Sequence, residues 1–162
     1  MSFRIDYTKS QREIYRAMVG VGRAIAATGL ERSLIELVNV RASQINGCAY
    51  CLSHHIPDAL EAGVPQEKIN LLPAWRECGD LYSERERAAL WWTEQNTRIA
   101  DSDHDDDAWT ALTAAFSEDE ALALTWAIAA INTWNRIAIP MRRPIIRAED
   151  DRPPRPEQPH PR

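Results

Sequence analysis

The chain has 162 residues, 44% hydrophobic and 27% charged, the size and balance of one globular domain able to bury a core without disulfides or metals. Nineteen Lys and Arg against 24 Asp and Glu leave a net charge of -5, which argues against a general nucleic-acid binder. The apolar charge-free stretch of residues 121–135 is too short to cross a bilayer, and the opening Met-Ser-Phe-Arg-Ile-Asp lacks a secretory apolar run, so a cytoplasmic protein without membrane contact is expected.

No stretch alternates apolar and polar residues for long enough to predict a strand. Apolar residues instead recur at spacings of three and four between Gly and Pro breaks. A first helix over about residues 10–27 aligns Ile14, Met18, Val21 and Ile25 on one stripe and ends at Thr28-Gly29. A second, about 31–45, carries Leu34, Leu37, Val38 and Ala42 on one face, and Asn46-Gly47 breaks it. A third begins near Cys48 and reaches Ala62, with Gly63 as its stop and Pro57 predicting an interruption and kink just after His55. Val64-Pro65-Gln66-Glu67 restarts a short helix. Ser83 with Glu86, and Ser117 with Glu120, are capping boxes for helices running to about Thr97 and Ile139, and a further helix is expected over about 106–116.

The expected fold is therefore all-α, with six to seven helices over residues 1–141. From Arg142 the composition changes, with six of the ten prolines, six arginines against four acids, and no aromatic residue. Such a segment, 142–162, buries too little apolar surface to offset chain entropy, so it is expected to be disordered or to pack on a neighbouring subunit.

Three cysteines cannot all pair within one chain, and in a reducing compartment they point to redox or metal chemistry. Two of them lie in Asn46-Gly47-Cys48-Ala49-Tyr50-Cys51-Leu52-Ser53-His54-His55. On a helix, Cys48, Cys51 and His55 fall within roughly 60° of one another, and positions three and four apart are neighbours. A thiolate rather than a thiol attacks a hydroperoxide, and an imidazole one turn away can take the proton, itself oriented by a carboxylate. The resulting sulfenic acid condenses with a second thiol in reach, and an external dithiol must then reset the disulfide. Spacing leaves open which thiol attacks. Cys48 is nearer the helix N-terminus, while Cys51 has the histidine one turn ahead, which favours Cys51 as attacking and Cys48 as resolving. The competing readings are a zinc site of Cys48, Cys51 and His55 with Glu36 or Cys78 as fourth ligand, and an inert buried pair.

Glu36, followed by eleven residues and then Cys48-x-x-Cys51-x-x-x-His55, completes a pattern that resembles alkylhydroperoxidase D (AhpD-like) proteins of the carboxymuconolactone decarboxylase superfamily. Glu36-Leu37-Val38, Ile45-Asn46-Gly47-Cys48, Tyr50-Cys51, Asp58-Ala59-Leu60-Glu61-Ala62-Gly63 and Asn132-Thr133-Trp134-Asn135-Arg136 share the resemblance, which spans roughly residues 30–139. It implies an all-α fold in homo-trimers or homo-hexamers that reduces hydroperoxides without a cofactor or metal. Cys51 and Cys48 would be the redox pair, with His55 as proton relay and Glu36 as its support. The implied electron donor is a dithiol on a lipoyl-bearing or thioredoxin-like protein. Tyr50 stands where some relatives carry a second histidine, and the adjacent His54 is poorly angled to replace it. The decarboxylase branch does not depend on this cysteine pair. A redox sensor or interaction module, and a lactone-handling enzyme on the same scaffold, are the alternative functions.

Other features read more plainly. Taken without its spacing to the cysteines, Glu36 would pass for a solvated helix residue. Ser43 and Asn46 are expected to cap or to face solvent. The acidic run 101–107 lacks the glycine and the bidentate glutamate of a calcium loop. Trp126 and Trp134 are expected to pack in the core or an interface rather than to line an apolar pocket, and Cys78 to be a buried spectator.

Overall fold

The computed structural model describes residues 2–103 and 106–147. His104 and Asp105 of the acidic run, and residues 148–162 of the Pro/Arg-rich segment, lie outside the described residues.

Seven α-helices and no strand are found among the described residues, so the fold is all-α. They are α1 (Arg12–Ala26), α2 (Arg32–Asn46), α3 (Ala49–Glu61), α4 (Gln66–Leu71), α5 (Glu84–Thr97), α6 (Asp106–Ala115) and α7 (Glu118–Ala138). Two short 3₁₀ segments, Leu72–Glu77 and Gly79–Leu81, link α4 to α5. Both predicted capping boxes form, with Ser83 and Ser117 each exchanging hydrogen bonds with the glutamate three residues on. None of these helices is long and apolar enough to cross a membrane.

The second helix departs from its amphipathic reading. Every α2 residue from Leu37 to Ser43 is buried, because α3, α5 and α7 all pack against it. Its apolar side chains feed separate parts of the core. Leu34 and Val38 meet α5, α6 and α7 through Ala89, Leu112, Leu124 and Ile128. Leu37 and Val40 meet Ala59, Ile69, Leu72, Trp75 and Leu90. Ala42 packs beside Cys48, Cys51, Ile131 and Ala138.

A helical stretch buried on every side must also satisfy its polar side chains internally. Arg41 donates to Glu94 of α5, which also accepts from Trp75 Nε1 at 2.9 Å and pairs with Arg76. Ser43, predicted to cap or face water, is buried and accepts from Asn135 of α7 at 3.2 Å.

Two further expectations change. The α3 helix continues across Pro57 rather than being interrupted, because buried Asp58 and Ala59 beyond the proline are anchored in the core beneath α2. Of the predicted α1 stripe only Ile25 is buried, and Ile14 is 63% exposed, since α1 rests against α7 alone among its larger contacts.

The enclosed ion pair generates a stability test. The side chains of Arg41 and Glu94 are 10% and 8% exposed, so Glu94→Ala leaves a buried guanidinium unpaired and is expected to destabilise by about 3–5 kcal/mol. Urea unfolding of the two proteins measures this.

Candidate active site

The site is built on the turn between α2 and α3. Gly47 caps α2 with φ 68° and ψ 32°, a left-handed conformation that glycine adopts without strain. The Cys48 amide closes the turn on Ser43 O at 2.9 Å. The chain therefore reverses within two residues, and Cys48 becomes the N-cap of α3 instead of its first helical residue. Its Sγ accepts from the Cys51 amide at 3.3 Å. Cys48 and Cys51 are paired as a disulfide with Cα atoms 5.3 Å apart, within the range this linkage needs. Both are almost wholly buried, at 1% and 2% exposure.

Folding α3 back along α2 brings Glu36 opposite His55. Glu36 Oε2 lies 2.8 Å from His55 Nδ1, with the two side chains only 12% and 16% exposed. An ionised carboxylate can only accept, so Nδ1 is the ring nitrogen that carries a proton towards it. Asn39, one turn after Glu36, donates its amide to the same oxygen at 3.3 Å. Burial by itself would raise the Glu36 carboxyl. The His55 hydrogen bond and charge, helped by Asn39, outweigh it and hold the group below its ordinary 4.5. His54 is pushed down, by burial first and by neighbouring His55 second. Its Nε2 stands 3.9 Å from Asp58 Oδ2.

A wall of aromatic and cationic groups flanks the sulfurs. Tyr50 and Trp134 pack against the cluster holding Cys48 and Cys51, and Tyr15 meets Trp134 edge-on. Burial pushes the Tyr50 hydroxyl up to about 12, so it stays protonated near neutral pH. The Arg143 guanidinium lies 4.1 Å from the Tyr50 ring centroid and donates to Tyr7 Oη at 2.8 Å. Further along, the Ile146 amide donates to Ser53 Oγ at 2.9 Å. Residues 142–147, read from sequence as the start of a tail, thus lie along α3 of their own chain. On the opposite flank Asn46, expected at the surface, donates to both Asn132 and Asn135 of α7, at 2.9 and 2.8 Å.

The four residues singled out in the sequence therefore fall on one helical hairpin. Cys78 does not join them. It is a free, partly exposed cysteine packed with a different part of the core, its Sγ donating to Ala74 O. Trp126 is 59% exposed while Trp134 sits by the cysteines, so the two tryptophans share no pocket. Sequence reading passed over Asn39, Asp58 and Arg143. Asn39 was findable from its helical spacing to Glu36, and Asp58 from its spacing to His54. Arg143 carried no local signal.

A helical hairpin bearing a buried Cys-x-x-Cys pair and a carboxylate-held histidine defines a class of thiol-bearing helical protein. The carboxymuconolactone decarboxylase family model matches residues 12–95. Uncharacterized protein YdfG of Bacillus subtilis is 35% identical over 141 residues, which cover 87% of this chain and 95% of that protein. A crystal structure from Agrobacterium tumefaciens, of a protein of unknown function provisionally described as the antioxidant defence protein AhpD, is 41% identical. It has a TM-score of 0.85 and covers 90% of this chain and 99% of that one. Alkyl hydroperoxide reductase AhpD of Corynebacterium aurimucosum is 44% identical over 45 residues, 28% of this chain and 25% of that protein. The chain belongs to the carboxymuconolactone decarboxylase family and is AhpD-like.

The Glu36–His55 contact predicts an acid limb in stability. A carboxyl lowered in the folded state stabilises fully above its unfolded value near 4.5, and that contribution is lost as pH falls through the lower folded value. Glu36→Gln is expected to lower stability at pH 7 by about 1–3 kcal/mol and to flatten the decline between pH 5 and 3. Urea midpoints across that range report it, and parallel curves for the two proteins would refute the assignment.

Proposed function

We propose that the chain is a thiol-dependent hydroperoxide reductase. The observation that carries this reading is the 2.8 Å contact between His55 Nδ1 and Glu36, one helical turn beyond a Cys48–Cys51 pair. In the reduced enzyme His55 Nε2 takes the Cys51 thiol proton. The Cys51 thiolate attacks the terminal oxygen of the hydroperoxide, a sulfur–oxygen bond forms, the oxygen–oxygen bond breaks, and the leaving alkoxide collects the proton from His55 as alcohol. The Cys48 thiol then attacks the Cys51 sulfenic acid, a sulfur–sulfur bond forms, the sulfur–oxygen bond breaks, and the thiol proton leaves with the hydroxide as water, closing the disulfide before further oxidation. A lipoyl-bearing or thioredoxin-like dithiol returns the pair to thiols by exchange.

Glu36 acts as a positioning residue by fixing the His55 ring and its tautomer. Cys48 accepts the Cys51 amide at the head of α3, where the positive end of the helix dipole favours a thiolate. Assembly into homo-trimers or homo-hexamers belongs to the same proposal. Exposed Ile14, Leu122 and Trp126 offer apolar surface for it.

Peroxide consumption coupled to a dithiol donor tests the reading. Cys51→Ser is expected to abolish turnover. Cys48→Ser is expected to permit one oxidation and then stall. His55→Gln should reduce the rate about 10²–10⁴-fold. The burial of both sulfurs favours one rival, a redox sensor whose pair reports oxidation without turnover. A wild-type chain that consumes a single equivalent of peroxide and stops, despite excess donor, replaces the enzyme with that sensor.

A further inference from the structure

We propose that His54, His55 and Asp58 form a binding site for one divalent zinc-class cation, built on α3 beside the cysteine pair and independent of it. Among the described residues, these three bring two imidazoles and a carboxylate together, with one donor atom of each within 4.8 Å of the others. His54 Nε2 and Asp58 Oδ2, at 3.9 Å, are too far apart for a hydrogen bond. Ligands about 2.1 Å from a tetrahedral ion stand about 3.4 Å apart, so this pair needs to close by only about 0.5 Å to share a single cation. Closing the whole set to that spacing needs at most about 1.4 Å of side-chain movement. His54, a third exposed, is the member able to make it.

The supporting groups match what such an ion requires. His54 and Asp58 are four apart on one helix and so face the same way. Glu36 holds the Nδ1 proton of His55 and leaves Nε2 as the ligating nitrogen, the carboxylate-to-imidazole support that steadies metal-bound histidines. Tyr50 lies parallel to His54, its ring plane 6° off and its centroid 6.2 Å away. Two carboxylates, Glu36 and Asp58, outnumber the single Arg143 guanidinium that lies across Tyr50. Two nitrogens and one oxygen suit zinc and its neighbours in the transition series better than magnesium or calcium, and they leave a fourth position open.

The paired sulfurs offer no thiolate, so the site is complete in the oxidised chain. A bound ion would occupy the His55 lone pair that the proposed relay needs, and would oppose thiol oxidation. That consequence rests on the peroxidase reading, whereas the binding does not.

Calorimetric titration of zinc chloride into the oxidised, chelator-stripped full chain separates the two. One ion per chain is expected in the wild type and equally in a Cys48→Ser/Cys51→Ser double variant. Affinity should fall about tenfold or more in His54→Gln, with His54→Ala as a second variant and circular dichroism to show that each is folded. No binding by the wild-type chain, binding undiminished in both folded His54 variants, or binding lost with the cysteines each overturns the site. Because no peroxide is present, failure here leaves the thiol reading untouched, and a chain that binds zinc but consumes no peroxide refutes only the latter.

Discussion

A carboxylate on one buried helix and an imidazole on the next hold each other at hydrogen-bond distance, and the site depends on that contact. Glu36 and His55 are nineteen residues apart and meet only because α2 and α3 fold back on one another about Gly47. The contact sets which ring nitrogen is protonated, keeps the acid ionised despite its burial, and points the other nitrogen to whatever lies beside α3. Losing it would free the ring to turn, and neither the proposed proton transfer at Cys51 nor the proposed cation binding would have a defined geometry.

The turn itself is held from both sides. Asn46 ties the end of α2 to Asn132 and Asn135 of α7, and Asn135 reaches Ser43 one turn earlier. On the far flank Arg143 and Ile146 anchor residues 142–147 to Tyr7 and Ser53. Buried polar networks of this kind are costly when half made, so they favour one arrangement of the helices over near alternatives. Chain segments from opposite ends of the sequence, Tyr7 and residues 142–147, meet beside the cysteine helix.

Glu94 plays the equivalent part away from the cysteines. It gathers Arg41, Arg76 and Trp75 around one carboxylate, which lets a charged residue sit in the middle of the enclosed α2 helix. This explains why α2 shows a weak one-faced pattern. A helix covered on every side does not need a polar face, only a partner for each polar group it carries.

The sequence by itself determined the all-helical class, the positions of most helices, both capping boxes and the grouping of Cys48, Cys51 and His55. Each of these follows from spacings of three or four residues or from a cap, which are local properties of a chain. Glu36 was reachable only through resemblance, since a lone acid on a helix has no local mark that separates a buried partner from a solvated one. The tertiary structure alone decided that α2 is enclosed, that Ser43 and Asn46 face α7, that α3 carries on past Pro57, and that Arg143 comes to rest over Tyr50. Those outcomes depend on which distant surface covers each residue, and burial by a distant segment leaves no imprint on the periodicity of the residues it covers.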